Sequence, residues 1–433
     1  MKLIKNVDIL NSDGKFSVGQ NVLIDGAFIK TISQDLPEDE FEKIIDGKGK
    51  ILMPGFVNTH AHSPMCLMRG YGENLKLNEW LNTRIFPFED KLTSDAVYNA
   101  TLLAMAESFR FGIVSSTDMY YFCDDMVRAA IESGAKMNVS RSLISFDENE
   151  DVLNAKSYLE AESLYNGYNG AGDGRIIVDF SLHAEYTSTP RLGRALAALA
   201  FDNGANMHVH ISETKEEHEG SKERRGGQTP TAYLNSLGLF DTKTTAAHCV
   251  WVDDEDMDIF REKNVTVASC PVSNLKLASG VCNVPKLMEK GVSVAIGTDS
   301  VASNNSLNFI EEMKAFALVN KEKRSDPTAI TPKEAIAAAT VIGAESQGRM
   351  DCGKIEAGCR ADIILIDAGV PNMYPIHDAA SNVVYSASGS DISMTMVDGE
   401  IVYENGEYLT IDIEKVISDV TKYAMKISGE LNG

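Results

Sequence analysis

The chain opens with short runs in which apolar and polar positions alternate, LIKNVDIL, QNVLIDGAFIKTIS and KIIDGKGKILMPG, separated by Gly and Asp. A period of two with turn residues between the runs predicts short strands in a small antiparallel unit. From Phe56 the pattern changes. Eight apolar or β-branched runs follow: FVNTHAH (56–62), GIVSSTDM (112–119), KMNVSRSL (136–143), RIIVDFSLHA (175–184), NMHVHISE (206–213), TTAAHCV (244–250), TVASCPVSN (266–274) and SVAIGTDS (293–300). Segments with a helical period, such as 94–112 and 190–204, lie between them. Strands alternating with helices imply a parallel sheet, and eight such units imply a closed (β/α)8 TIM barrel. After a helical stretch at 331–348, strand texture returns at 361–367, 382–388 and 392–409, with Asp398-Gly399 as a hairpin signal. The expected α/β fold is therefore a barrel over 56–355 beside a discontinuous β-sandwich built from both chain ends, 1–55 and 356–410. A C-terminal helix over 411–433 completes it.

Composition alters this picture little. Of 433 residues, 44% are hydrophobic and 24% charged, as in ordinary globular proteins. The formal charge of −23 argues against nucleic acid or an anionic membrane as a partner, since both need a basic surface. Seven cysteines with no CxxC pair fit reduced thiols better than a disulfide framework. The N-terminal MKLIKNVDILNSDG reads as strand and turn, not as a signal peptide, and no run is long enough to span a bilayer. A cytoplasmic protein is expected.

Barrel active sites form where the strands end, and the polar residues of chemical interest collect there. His60 and His62 end the first strand, His183 the fourth, His210 the fifth, His248 the sixth and Asp299 the eighth, so five of eight histidines lie at strand ends. Two residues apart on a strand, His60 and His62 project to the same side. With His210 they offer three neutral nitrogens, and Asp299 offers an anionic oxygen. That set suits one divalent cation per chain with a position open for water. Zinc is the default, and Fe2+ or Mn2+ fit the same ligands. Glu213, three residues past His210, is placed to take a proton from the water and return it to a leaving group. His248 and Asp299 can orient or polarise the nucleophile.

The remaining candidates read as structural. His208 lies one step deeper than His210 and suits a hydrogen-bonded core position. His218 sits inside the charged run 213–225, which reads as a solvated face apart from Glu213. His377 falls beside the end strands, Cys249 and Cys270 read as small buried residues, Asp118 as structural, and PMCLM (64–68) as pocket lining or packing.

The segments PGFVNTHAH, HISETKEE, AAHCV and GTDSVASNNSLN resemble the amidohydrolase superfamily. More narrowly they are similar to its 5′-methylthioadenosine/S-adenosylhomocysteine deaminase branch, with triazine hydrolases close by. The resemblance covers nearly the whole chain, including KIEAGCRADIILID (354–367). It implies a metal-dependent hydrolytic deaminase of adenine nucleosides (5′-methylthioadenosine, adenosine, 5′-deoxyadenosine, S-adenosylhomocysteine). The reaction it implies is attack of metal-bound hydroxide at C6 of the purine, giving the inosine analogue and ammonia.

It further implies His60, His62, His210 and Asp299 as metal ligands, Glu213 as the acid/base serving the ring nitrogen, and His248 as the residue assisting attack. His183 would contact substrate, Glu89 the ribose hydroxyls, and Trp80, in the loop EWLNTRIFPFEDKLT (79–93), would cover the substrate or pack. Arg141 matches one of a pair of arginines near the substrate's tail. The second has no counterpart, and DENED (147–151) stands nearby instead. The family also implies a dimer or tetramer.

Rival readings keep the barrel. A triazine, guanine or pterin ring could replace the nucleoside. A two-metal cyclic amidase of the dihydroorotase type needs a lysine at the fourth strand end, and RIIVDFSLHAEY (175–186) has none. A catalytically silent scaffold should lack metal ligands, and none is missing.

Overall fold

In the computed structural model, which describes residues 1–36 and 40–432, the N-terminal runs form β1 (Lys2–Leu10), β2 (Phe16–Asp25), β3 (Phe28–Ser33), β4 (Lys43–Asp46) and β5 (Lys50–Pro54). The barrel strands follow as β6 (Phe56–Ala61), β7 (Ile113–Tyr120), β8 (Lys136–Leu143), β9 (Ile176–Val178), β10 (Phe180–Leu182), β11 (Met207–Ile211), β12 (Thr244–His248), β13 (Thr266–Ser269) and β14 (Ser293–Ile296). The C-terminal strands are β15 (Ile363–Asp367), β16 (Ile392–Val397), β17 (Glu400–Glu404) and β18 (Glu407–Tyr408).

The barrel strands run parallel in the order of the chain, and β9 and β10 together occupy the fourth position beside β8. Closure comes through Ala61 and Asp299, where the Asp299 N–H donates to the His60 carbonyl at 2.9 Å. Strands buried on both faces explain the near-continuous apolar runs: every residue of β6, β7 and β11 is buried. Several of the helices between them begin at side-chain caps. Thr93 accepts from Ala96 N before Ser94–Arg110, and Thr189 from Leu192 N before Pro190–Asn203.

Both chain ends enter one sheet, in the order β18-β17-β16-β15-β5-β1-β2-β3 with β4 beside β1. It buries a core of its own around Ile4, Val22, Leu52, Ile363 and Met394. Two expectations are corrected here. The N-terminal unit is not antiparallel throughout: the β1–β2 and β2–β3 hairpins are, but β4 and β5 return along the other edge of β1 and run parallel to it. The segment 382–388 is not a strand. Ala379–Tyr385 is a helix capped by Asp378, and Ala379, Ala380, Val383 and Val384 form its buried stripe. The β-branched pair belongs to a helical period, which a window of seven residues cannot separate from a strand.

Gly55 alone separates β5 of the end sheet from β6 of the barrel, and a Cβ there would run into Val114. That crossing aims β6, and with it His60 and His62, at the barrel's upper rim. Lys136, buried at the start of β8, pairs with Asp362 and, at 2.7 Å, with Asp398, tying barrel to sheet. Among the described residues no helix is long and apolar enough to cross a membrane.

Candidate active site at the strand ends

His60, His62, His183, His210, His248, Glu213 and Asp299 converge at one end of the barrel, as side chains from five of its strands must when each sits at its strand's C-terminal limit. Gly297 permits the closest approach: a Cβ there would lie 2.8 Å from the His60 Cβ, so only glycine lets the end of β14 bring Asp299 against β6. Asp299, His248 and Ser212 carry positive φ of 60°, 70° and 49°. Such left-handed backbone in residues with side chains persists only where the surroundings hold it.

Each imidazole is fixed through its second nitrogen. His62 Nδ1 donates to the Met119 carbonyl at 2.7 Å and His210 Nδ1 to the His183 carbonyl at 2.7 Å. His60 Nδ1 is hydrogen-bonded to His208 Nε2 at 2.9 Å, and His248 Nδ1 donates to Asn274 Oδ1 at 2.9 Å. His62 Nε2 and His210 Nε2 therefore both present lone pairs, yet they face each other at 3.3 Å. Two lone pairs at that distance repel unless a cation stands between them.

Asp299 Oδ1 lies 3.5 Å from His60 Nε2 and 3.4 Å from His62 Nε2, while its other oxygen accepts from Ser273 Oγ at 2.6 Å and Ser303 Oγ at 2.8 Å. His60 Nε2, fully buried, has no hydrogen-bond partner among the described residues. Ligand bonds of ~2.1 Å place tetrahedral ligand atoms ~3.4 Å apart, the spacing observed here. The donor set fits a divalent cation.

Electrostatics agree. Burial, reinforced by the neighbouring imidazoles, holds His210 well below the usual histidine range. Burial brings His60 down to about 3, although Asp299 opposes it. Both rings are thus neutral donors. Burial would raise the Asp299 carboxyl, but His60, His248 and His62 outweigh it and keep it well below the carboxylate range.

Beside this cluster Glu213 Oε1 accepts from Ser279 Oγ at 3.4 Å, and Oε2 stands 3.9 Å from His248 Nε2. Its main chain is held by Glu217, whose carboxylate accepts from Ser212 N and Glu213 N, both at 2.8 Å. The 213–225 run is therefore solvated on one side only, with Lys215, Glu216, Glu219, Glu223 and Arg224 exposed. Glu217 and His218 are buried, and His218 Nδ1 is hydrogen-bonded to Ser212 Oγ at 3.0 Å. The sequence does carry a signal for this: Thr214 and Glu217 are spaced as a capping box, and Thr214 caps Lys215–Arg224. The glutamate reaches past the cap residue to the two residues before it.

Trp80 and Glu89 lie on the helical segment 77–89, which widens to a π-helical turn over Leu81–Ile85. Both line the cavity above the histidines; Trp80 is only 5% exposed, so it packs and covers at once. Burial pushes the Glu89 carboxyl up to about 7 against the pull of the Tyr120 hydroxyl. His183 lines the same cavity with Nδ1 against Thr187 Oγ1 at 2.9 Å. Arg141 does not reach the cluster. It pairs with Glu160, Nε to Oε2 2.8 Å, in the adjoining cavity. His208, as expected, is a buried partner of His60, and Asp118 accepts from Ser63 N at 2.9 Å behind β6.

A barrel whose strand ends carry this histidine–aspartate cluster defines a class. The chain belongs to the Amidohydrolase family, whose model matches residues 51–402. It is 40% identical over 433 residues, 99% of each chain, to the 5-methylthioadenosine/S-adenosylhomocysteine deaminase of Caldanaerobacter subterraneus subsp. tengcongensis. It is 38% identical over 437 residues, again 99% of each, to the 5′-deoxyadenosine deaminase of Methanosarcina mazei. The crystal structure of an adenosine deaminase from Xanthomonas campestris with bound zinc superposes with a TM-score of 0.93 at 28% identity, covering 99% of this chain and 98% of that one.

Proposed function

We propose that the chain hydrolytically deaminates adenine nucleosides, 5′-methylthioadenosine, adenosine and 5′-deoxyadenosine among them, to the inosine analogue and ammonia. His60, His62, His210 and Asp299 hold one divalent cation, zinc by default. When bound there, such an ion supplies Lewis-acid activation of a water.

The chain's own groups do the rest. Glu213 stands beside the cluster with its backbone locked and carries a proton to N1 of the purine as C6 becomes tetrahedral. His248, held by Asn274, faces both Glu213 and the ligands and stabilises charge developing at C6. His183 borders the ring, Trp80 closes the cavity over it, and Glu89 accepts the two ribose hydroxyls.

One observation carries the reading: a single cavity is lined at once by Glu213, the donor cluster and the Glu89 carboxylate. The relatives named above support it. Ammonia release from 5′-methylthioadenosine, adenosine, guanine and a chlorotriazine tests it. Turnover of the nucleosides over the other two rings is expected, and preference for guanine or the triazine would replace this reading with the other-heterocycle one.

A further inference from the structure

Beyond Glu89 the site opens into a second cavity of about 660 Å3 that shares Phe86, Glu89, Tyr121 and His183 with the first. If Glu89 holds the ribose, this cavity adjoins the sugar. A further cavity meets the site at Leu77, Leu81, Tyr186 and Leu277 and a small one at His62 and Asp299, and Glu89 lines neither.

The charges lining this space are unequal. Glu89, Asp90, Asp124, Asp125 and Glu160 stand against two cations, Arg141 and Lys156. Glu160 contacts both: it binds Arg141 Nε at 2.8 Å through Oε2 and, loosely, the exposed Lys156 Nζ at 3.5 Å through Oε1. The Arg141 guanidinium also lies 4.8 Å from the Tyr121 ring centroid and donates to the Ser142 carbonyl. Ile144, 38% exposed, and Phe146, 73% exposed, give the cavity an apolar side, and Ser163, His183 and Thr187 add neutral polar groups. An anionic tail entering here would meet an excess of carboxylates, of which Asp125 is paired with Arg128, and cations that Glu160 already contacts, whereas an alkyl or ammonium tail would meet apolar surface and acceptors.

Building on the nucleoside reading above, we propose that this cavity receives the C5′ substituent and selects neutral or cationic tails against carboxylate ones. Glu160 sets that selection by occupying Arg141. The preferred substrates are thus 5′-deoxy and 5′-alkylthio nucleosides, with amino-acid-bearing tails disfavoured.

Three 5′-thioadenosines of matched chain length test it: S-propyl, S-(2-aminoethyl) and S-carboxymethyl. With the metal-loaded enzyme, kcat/KM for the carboxylate should lie roughly tenfold or more below the propyl compound, mostly through KM, and the ammonium compound should equal or exceed it. Raising the salt should narrow the gap, since screening weakens repulsion. Glu160→Gln should shrink the propyl-to-carboxylate ratio by releasing Arg141. Equal turnover of all three by the wild-type enzyme, or a ratio unmoved by both salt and Glu160→Gln, overturns the selection. Failure of the propyl compound and adenosine alike overturns the nucleoside reading beneath it, a separate result.

Discussion

The Glu217 carboxylate accepts the Glu213 backbone N–H at 2.8 Å, and through its second oxygen the Ser212 N–H at the same distance. One buried side chain thereby fixes the main chain of the proposed proton carrier, just where Ser212 adopts its left-handed turn. Replacing Glu217 by Gln puts an amide N–H against a backbone N–H, and replacing it by Ala leaves two donors unpaired in a buried site. Either should lower kcat at least about tenfold, the effect expected from losing charged, buried hydrogen bonds, with KM changing less. Steady-state kinetics with a circular-dichroism check of folding measures this. A kcat equal to wild type in Glu217→Ala would show that the clamp is dispensable.

The two opposed lone pairs of His62 and His210 give the cluster a need for a cation. Chelation should abolish turnover and lower thermal stability, and zinc should restore both. An ion at a hundredfold its Kd contributes about 2.7 kcal/mol. His62→Ala should purify with its metal largely absent. Metal analysis and differential scanning calorimetry read both effects, and a chelated enzyme with unchanged melting and full turnover would contradict the assignment.

Gly297→Ala places a methyl 2.8 Å from the His60 Cβ and 2.9 Å from its backbone nitrogen. Because β6 must then move away from Asp299, metal affinity should fall by about ten- to a hundredfold, the range seen when ligand positioning is disturbed. Competition with a metal indicator gives the value. Undiminished affinity would mean that β6 and β14 shift together.

Desolvation pushes the half-buried Glu89 carboxyl up to about 7, so its protonated form persists towards neutral pH. Protonation removes the charge and turns one oxygen into a donor, which weakens its hold on the two ribose hydroxyls. KM for adenosine should therefore fall as pH rises through about 7. That limb should be missing from Glu89→Gln and from a 2′,3′-dideoxy nucleoside. A KM limb that persists in both would assign the titration to another group.

Much of the fold was legible because parallel strands buried on both faces write themselves as apolar runs, and each of the eight became a barrel position. The convergence of the histidines with Asp299 was legible for a related reason: a barrel gathers strand ends, so His60, His62, His210 and Asp299 could be grouped without knowing any distance. What was not legible depended on context outside a short window. Val383 and Val384 look like a strand until the buried Ala379 and Ala380 complete a helical stripe. Glu217 and His218 look solvated because their neighbours are charged, while the turn at Ser212 folds them inward. Arg141 aligned with a substrate-binding position, but its engagement by Glu160 is set by the helix Lys156–Tyr168.

The most direct test is deamination of 5′-methylthioadenosine in heavy-oxygen water by the zinc-loaded enzyme and by Glu213→Gln. Wild type should release one ammonia per nucleoside and place one heavy oxygen at C6. Glu213→Gln should retain the metal while losing about 10²–10⁴-fold in rate. Free adenine as the product, or a Glu213→Gln enzyme as fast as wild type, would contradict hydrolytic deamination at this site.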